Sequence, residues 1–466
     1  MANQAALSRR MRRDVDMTQG SIFKLLLHFA LPLLAGNLFQ QLYNMVDTWV
    51  VGNFVSNEAY SAVGTMGPII NMLIGFFSGF ASGTGVVISQ YYGAGMPERV
   101  RRAVHTAMVL TVVLGLILTG LGLALIPTVL GFIKMPAEAL NDATTYLSIY
   151  FAGLLGLLVY NMGAGILRAV GDSRRPFYYL VVSALMNIAL DLLFVIRFDM
   201  GVAGVAWATI IAQATSAVLV LVTLMRTQSV VQVKLRWLKV DWPILKKILT
   251  LGFPAAIQLS VTAFSNIFVQ SYINFFGTDC MSGWTTYAKV DQLMFLPMQS
   301  LSLATTTFVG QNLGGGNVQR ARKGVSTALT MSLCVTAIIL VPLMIFAPQI
   351  TAFFNSKPEV IDFGTMLLRL LSPFYLLCCF NQIYAAAQRG GGNSRAPMFM
   401  MLGSFVVFRQ IYLYVMANFI CNEIVPIAMA YPAGWLLCSL ANAIYYYKTP
   451  LDRHVVVEPH RKGDPQ

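Results

Sequence analysis

Two aspartates stand inside long apolar stretches of this 466-residue sequence, where an ionised carboxylate is unfavourable and is by default a candidate for function. Asp47 lies about five residues before the end of the first stretch, and Asp191 lies six residues before the end of the fifth. Asn187 precedes Asp191 by four residues, so both share one helix face. Thr209, in the sixth stretch, falls at a similar depth. Carboxylate, amide and hydroxyl oxygens together suit a proton or a small hard cation. A structural hydrogen-bond network is the alternative.

Twelve apolar stretches carry these and other residues, and each is long enough to cross a bilayer as a helix. The sequence is 57% hydrophobic and 11% charged, against roughly 45–50% and about 25% in soluble domains. In lipid, a continuous apolar run satisfies its own backbone polar groups only as a helix. We therefore predict an all-α polytopic membrane protein with helices at 21–52, 59–92, 100–127, 139–168, 175–197, 201–225, 243–276, 284–312, 324–347, 358–388, 396–419 and 424–447.

The sequence contains an internal repeat. Residues 90–102 match 311–323, and residues 168–176 match 389–397, both at an offset of 221. Each half holds six predicted spans, an even number, so the two halves enter the membrane in the same orientation as parallel repeats. The predicted organisation is an N-lobe, a cytoplasmic inter-lobe linker, a C-lobe and a cytoplasmic tail, at 1–225, 226–242, 243–447 and 448–466.

The second half does not repeat the oxygen-rich cluster. Offsets of 221 or 222 from Asp47, Asn187 and Asp191 lead to residues that cannot bind a cation through a carboxylate or an amide, namely Val269, Phe408 and Tyr412. We therefore expect cation chemistry of this kind in one lobe only.

Basic residues are concentrated on one predicted side of the membrane. Of the 32 Lys and Arg residues, 26 fall in tails and connections that share the side of the N-terminus, and only Lys134, Arg197 and Lys357 fall on the other side. By the positive-inside rule both termini are cytoplasmic, and the predicted location is the bacterial cytoplasmic (inner) membrane. The net charge of +13 therefore indicates topology and contact with membrane lipids rather than a nucleic-acid partner.

Several segments resemble the multidrug and toxic compound extrusion (MATE) transporters over nearly the whole chain. The residues that carry the resemblance are 44–52 (NMVDTWVVG), 165–172 (GILRAVGD), 187–191 (NIALD), 204–209 (GVAWAT) and 309–314 (VGQNLG). The chain looks closer to the DinF- and MepA-like branches than to NorM, because the acids that NorM-like members carry on helices 7 and 10 align with Thr262 and Cys378 here.

The resemblance implies a V-shaped, two-lobe bundle that exports amphiphilic or cationic organic compounds in exchange for H⁺ or Na⁺ by alternating access. In similar members the cation site uses an Asp on helix 1, an Asn and an Asp on helix 5 and a Thr on helix 6, which stand here at Asp47, Asn187, Asp191 and Thr209. Pro32 matches a proline at which helix 1 bends, and its missing backbone donor gives such a bend a physical cause.

Three further charged residues inside predicted spans, Lys289, Asp291 and Arg409, are candidates for gating or substrate contact, with structural pairing as the alternative. A flippase for lipid-linked saccharides shares the repeat architecture, but it requires a strongly cationic cavity for pyrophosphate, for which only Lys289, Arg369 and Arg409 are available. We expect no enzyme activity, since no catalytic motif is present. We also expect no cofactor, no bound metal beyond Na⁺ at the cation site, and function as a monomer.

Overall fold

The computed structural model describes residues 15–55, 57–132 and 136–457, and no strand occurs within these ranges. Nearly every described residue is helical, as lipid requires of a chain that must satisfy its own backbone polar groups. Residues 1–14 and 458–466, in the predicted cytoplasmic tails, lie outside the described residues, as does Lys134 of the predicted outer connection after the third span.

Six spans form the first half of the chain. The fourth is broken at Gly153, and the fifth ends in a π-helical segment, Leu192–Arg197. Their bounds are α1 Ile22–Phe54, α2 Asn57–Gly93, α3 Pro97–Phe132, α4 Ala137–Ala152 with Leu154–Ala169, α5 Arg174–Asp191 and α6 Gly201–Arg226.

Six further spans form the second half, after a connection that contains the 3-10 turn Leu235–Trp237. A short helix, Ala347–Phe354, follows the third of them. The bounds are α7 Trp242–Asn274, α8 Thr278–Gly314, α9 Val318–Ile345, α10 Pro358–Leu371 with Tyr375–Gly390, α11 Arg395–Leu402 continued by π-helical and α-helical turns to Ile420, and α12 Ile424–Ala428 with Ala430–Lys448.

Length and hydropathy identify fewer spans than the twelve predicted. Within the described ranges, ten helices are long and apolar enough to cross a membrane, and the two parts of α4, bent by 46°, make an eleventh. The twelfth is α8, which has 37 residues and carries Lys289 and Asp291. Polar residues such as Thr305 and Gln311 lower the mean hydropathy of α8. Both are fully buried, so this polar surface faces the inside of the bundle.

The chain forms two compact units whose boundaries fall at repeat-related positions. Unit 1 contains Leu31–Gly252, and unit 2 contains Met17–Ala30 together with the chain from Phe253 onward. Each boundary lies just before a proline inside a helix, Pro32 in α1 and Pro254 in α7. The first turns of α1 thus belong to unit 2, and the first turns of α7 belong to unit 1.

Helix packing repeats between the two units. In unit 1, α4 packs against α2 and α6, and in unit 2 the corresponding α10 packs against α8 and α12. Each unit has its own apolar core, which includes Tyr146 in unit 1 and Tyr375 in unit 2. The predicted parallel duplication therefore extends from the sequence to the packing inside each unit.

Candidate functional site

The side chains of Asp47 and Asp191 meet inside unit 1, close enough to interact directly. Asp47 comes from α1 and is half-buried, whereas Asp191 is the last residue of α5 and is fully buried. Two negative charges this close repel strongly where the dielectric constant is low. A proton or a small cation held between the two carboxyl groups would remove that repulsion.

The oxygens of this pair have few protein donors. Within the described chain, no N–H or hydroxyl group donates to either oxygen of Asp191 or to Oδ1 of Asp47, and both polar atoms of the buried Asn187 side chain lack a hydrogen-bond partner. An unsatisfied buried polar group is unfavourable by about 1–3 kcal/mol. Carboxylate and amide oxygens are ligands that fit H⁺ or Na⁺.

Thr209 lies on α6, which packs against α5, and its side chain is 9% exposed. Its hydroxyl donates to the carbonyl oxygen of Val205, one turn earlier in its own helix, at 3.0 Å. The hydroxyl proton is therefore committed to the helix backbone, and only the oxygen lone pairs remain for a cation. The structure thus joins Asp47 with Asp191 directly and gives Thr209 a backbone partner instead.

Two tyrosines border the acids, and sequence reasoning missed both. Tyr43 stands one turn before Asp47 on α1 and interacts with it electrostatically. Tyr146, from α4, interacts with both Asp47 and Asp191. The i, i+4 spacing from Tyr43 to Asp47 was a usable signal, whereas nothing local in the sequence connects Tyr146 to the acids.

The helix changes type directly after Asp191. Leu192–Arg197 is π-helical, and single π-helical turns within α-helices are frequent at functional sites. Asp191 is therefore held at a junction between two helix geometries.

Pro32 lies inside α1, which runs without interruption from Ile22 to Phe54. The boundary between the two units falls at Ala30 and Leu31, directly before this proline. A bend of α1 at Pro32 stays a prediction, and the position of the boundary is compatible with it.

Asp291 in unit 2 is an acid with protein partners. Tyr375 of α10 donates to its Oδ1 at 2.7 Å, and Tyr287 donates to the same atom at 3.2 Å. The tyrosines lie in an aromatic group in which Trp435 packs on Tyr375 and Trp284 on Tyr287. A half-buried carboxylate among aromatic faces is a suitable contact for an organic cation.

The other two candidate charges have separate surroundings. The Nζ atom of Lys289 lies 5.4 Å from the centre of the Phe354 ring. Arg409 is buried, donates to Ser265 Oγ at 3.0 Å and to Asn266 Oδ1 at 2.8 Å, and lies over the Tyr431 ring. Arg409 therefore has a structural explanation, and each of these cations contacts a different partner.

The NorM-like acid positions are uncharged here. Thr262 donates to the carbonyl oxygen of Gln258 in its own helix, and Cys378 is fully buried. Within the described residues, no group of three His, Cys, Asp or Glu side chains could hold a metal ion.

Comparison with known proteins agrees with this architecture. Over 433 residues the chain is 27% identical to the probable multidrug resistance protein YoeA of Bacillus subtilis, covering 91% of this chain and 94% of the relative. Over 431 residues it is 28% identical to YpnP of the same organism, covering 92% and 96%. These relatives are compatible with the predicted branch.

A solved structure described as the outward-facing conformation of a multidrug resistance MATE family transporter matches with a TM-score of 0.89 and 23% identity, over 94% of this chain and 97% of the other. The MatE family model matches residues 32–193 and 254–415, two segments that start at Pro32 and Pro254 and together cover more than half of the chain. The chain therefore belongs to the MATE family and is a membrane transporter, not an enzyme.

Proposed function

We propose that this chain is a secondary active multidrug exporter that exchanges amphiphilic or cationic organic compounds for H⁺ or Na⁺. The observation that carries the proposal is the meeting of Asp47 and Asp191, because two carboxyl groups without nearby protein donors can bind and release one cation. The names of YoeA and YpnP, both probable multidrug resistance proteins, support the substrate class.

The cation acts through a difference in affinity between two states of the transporter. A ligand shifts a conformational equilibrium only as far as it binds one state more tightly. Cation binding between Asp47 on α1 and Asp191 on α5 would draw these two helices together, and α1 passes Pro32 before it reaches unit 2. Alternating access then follows from a bend of α1 that forms when the cation is bound and relaxes when it leaves.

We assign the first contact of a cationic substrate to Asp291. Its carboxylate is half-buried, and its tyrosine and tryptophan neighbours offer aromatic faces to a positive charge. A substrate cation would replace the hydroxyl groups of Tyr287 and Tyr375 as the partner of Asp291. Lys289 lies two residues before Asp291 on α8, so the two side chains leave the helix in different directions. Its Nζ atom lies over the Phe354 ring, and it stays a gating candidate as a charge inside a membrane span.

The remaining assignments follow from charge and composition. The concentration of Lys and Arg supports cytoplasmic termini and insertion in the bacterial inner membrane. We propose that one chain suffices for transport, with H⁺ or Na⁺ as the coupling ion and without a cofactor.

Ethidium uptake into everted membrane vesicles tests the function. We expect a pH or sodium gradient to drive uptake by the wild type, and we expect Asp47→Asn and Asp191→Asn to reduce the gradient-driven part to background. Asp199→Asn is the matched control, because Asp199 is exposed in the connection before α6. Gradient-driven uptake at the wild-type rate in both Asp47→Asn and Asp191→Asn would refute the proposal.

A lipid-linked saccharide flippase is less well supported. Pyrophosphate recognition needs several cations directed at one place. In unit 2, Arg409 is engaged by Ser265 and Asn266, and Arg369 donates to the carbonyl oxygen of Met344. The cations required by this alternative thus have protein partners of their own.

A further inference from the structure

A cavity of about 510 Å³ lies in unit 1, at the cytoplasmic end of α3. One wall is the first two turns of α3, and the other is the connection between α6 and α7. This feature, the linker cavity, is distant in sequence from the acids of the cation site and takes no part in the transport proposal. Its charged and aromatic lining includes Arg101, Arg102, Arg236, Trp237, Lys239 and Asp241.

The walls of the linker cavity are fixed to each other by hydrogen bonds. The backbone N–H of Lys234 donates to Nε2 of the buried His105 at 3.1 Å, and the backbone N–H of Asp241 donates to Oγ1 of Thr106 at 3.0 Å. Both acceptors belong to α3. The connection, residues 227–241, is therefore attached to α3 near its middle and at its end, and the cavity between connection and helix is a built feature of unit 1.

Positive charge exceeds negative charge around the linker cavity. Arg101 pairs with Glu98 at 3.2 Å, and Arg102 lies 3.6 Å from Asp241. Among the described residues, neither Arg236 nor Lys239 forms an ion pair. Two cations without a carboxylate partner leave the cavity suited to an anion.

Three cationic side chains around the linker cavity contact the ring of Trp237. The Nζ atom of Lys234 lies 4.2 Å from the centre of the indole ring, and the guanidinium carbons of Arg101 and Arg236 each lie 5.7 Å from it. Contacts with the ring restrict where these long side chains point. The positive charge is thus partly ordered before any ligand arrives.

Apolar side chains beside the linker cavity indicate the source of the anion. Leu235 is 67% exposed and Trp242 is 73% exposed, and they alternate with Lys234, Arg236 and Lys239. Exposed apolar and aromatic residues mixed with Lys and Arg, between the ends of two membrane spans, are typical of a segment that lies in the headgroup region of a bilayer. A soluble anion would gain nothing from Leu235 or Trp242.

We propose that the linker cavity binds the phosphodiester headgroup of an anionic phospholipid. Arg236 and Lys239 neutralise the phosphate, Trp237 lies at headgroup level, and Leu235 and Trp242 contact the acyl chains. The site anchors the connection between α6 and α7 to the cytoplasmic leaflet.

Tryptophan fluorescence of the purified full chain in detergent tests the proposal, with Trp237→Phe used to isolate the signal of Trp237. We expect a saturable change on titration with dihexanoyl phosphatidylglycerol and little change with dihexanoyl phosphatidylcholine or inorganic phosphate. Arg236→Gln combined with Lys239→Gln should weaken phosphatidylglycerol binding by roughly 10- to 30-fold.

Arg322→Gln combined with Lys323→Gln is the matched control. These residues are exposed on α9, at the repeat-related positions of Arg101 and Arg102. The variant loses the same amount of charge as the test variant, but away from the linker cavity. Phosphatidylglycerol binding should therefore be unchanged. A thermal midpoint within about 2 °C of the wild type establishes that a variant is folded, and Arg236→Lys should retain binding. Equal binding of phosphatidylcholine, equal weakening by the α9 control, or displacement of the lipid by an equal concentration of inorganic phosphate would overturn the proposal.

Discussion

The acids inside the two units differ in which groups donate hydrogen bonds to them. Two tyrosine hydroxyls donate to Asp291 in unit 2, whereas the described chain supplies no N–H or hydroxyl donor to Asp191 in unit 1. Asp291 is stable without a bound ligand, while Asp191 and Asp47 need a proton or cation between them. This difference is the physical reason for placing cation exchange in unit 1 and substrate contact in unit 2.

Residue types and helix depth were enough to predict that Asp47 and Asp191 lie together. They were not enough to predict the partners that come from other helices. Tyr146 reaches the acids from α4, and Tyr375 reaches Asp291 across 84 residues of sequence, so both contacts depend on tertiary packing. Thr209 was predicted from its depth to join the acids, but its hydroxyl donates to a backbone carbonyl of its own helix, as threonine in helices often does.

Arg409→Lys should destabilise unit 2 by about 1–3 kcal/mol. A single ammonium group cannot reproduce the two donor contacts to Ser265 and Asn266 while it also lies over Tyr431. The measurement is the thermal midpoint of the purified protein in detergent. Arg395→Lys, at the exposed first residue of α11, should leave the midpoint unchanged, and an equal fall in both variants would show that the Arg409 contacts contribute nothing.

Helices are well predicted from hydropathy, and their interruptions are not. The predicted ends differ from most observed ends by a few residues, since the change from apolar to charged sequence marks the membrane edge. The bend of α4 at Gly153 and the π-helical segments of α5 and α11 were missed. They depend on neighbours, as at Gly153, where an added Cβ would meet the side chain of Ile210 on α6.

Close approach of helices in unit 1 depends on Gly83 of α2. A Cβ added there would lie 2.6 Å from the Cα of Gly252 in α7, and backbone cannot move aside as a side chain can. Gly83→Ala should therefore lower stability by about 1–3 kcal/mol, although alanine is the better helix former.

Gly120→Ala on α3 is the matched control for this position, because no atom lies within 4 Å of its added Cβ. Its thermal midpoint should equal or exceed that of the wild type. If Gly83→Ala were as stable as Gly120→Ala by the same thermal measurement, the close contact between α2 and α7 would be without consequence.

At the scale of the whole molecule, the two halves repeat each other in helix packing but not in the residues of the cation site. Helix pairings, prolines and unit boundaries repeat at offsets of 221 or 222 residues, but Val269, Phe408 and Tyr412 occupy the positions of the N-lobe cluster. The two halves therefore share a packing arrangement, and only one of them carries the carboxyl pair. The repeat and its orientation were predictable, since sequence offset and span parity determine them.

The central claim is that the cation at Asp47 and Asp191 and the substrate favour different states of the transporter, so that binding of one weakens binding of the other. Addition of ethidium to weakly buffered, purified wild-type protein should therefore release H⁺, followed with a pH dye, or displace ²²Na⁺ from protein loaded with it. The Asp47→Asn/Asp191→Asn double variant should release neither ion while remaining folded. Release of the same quantity of H⁺ or Na⁺ by the double variant would contradict the account.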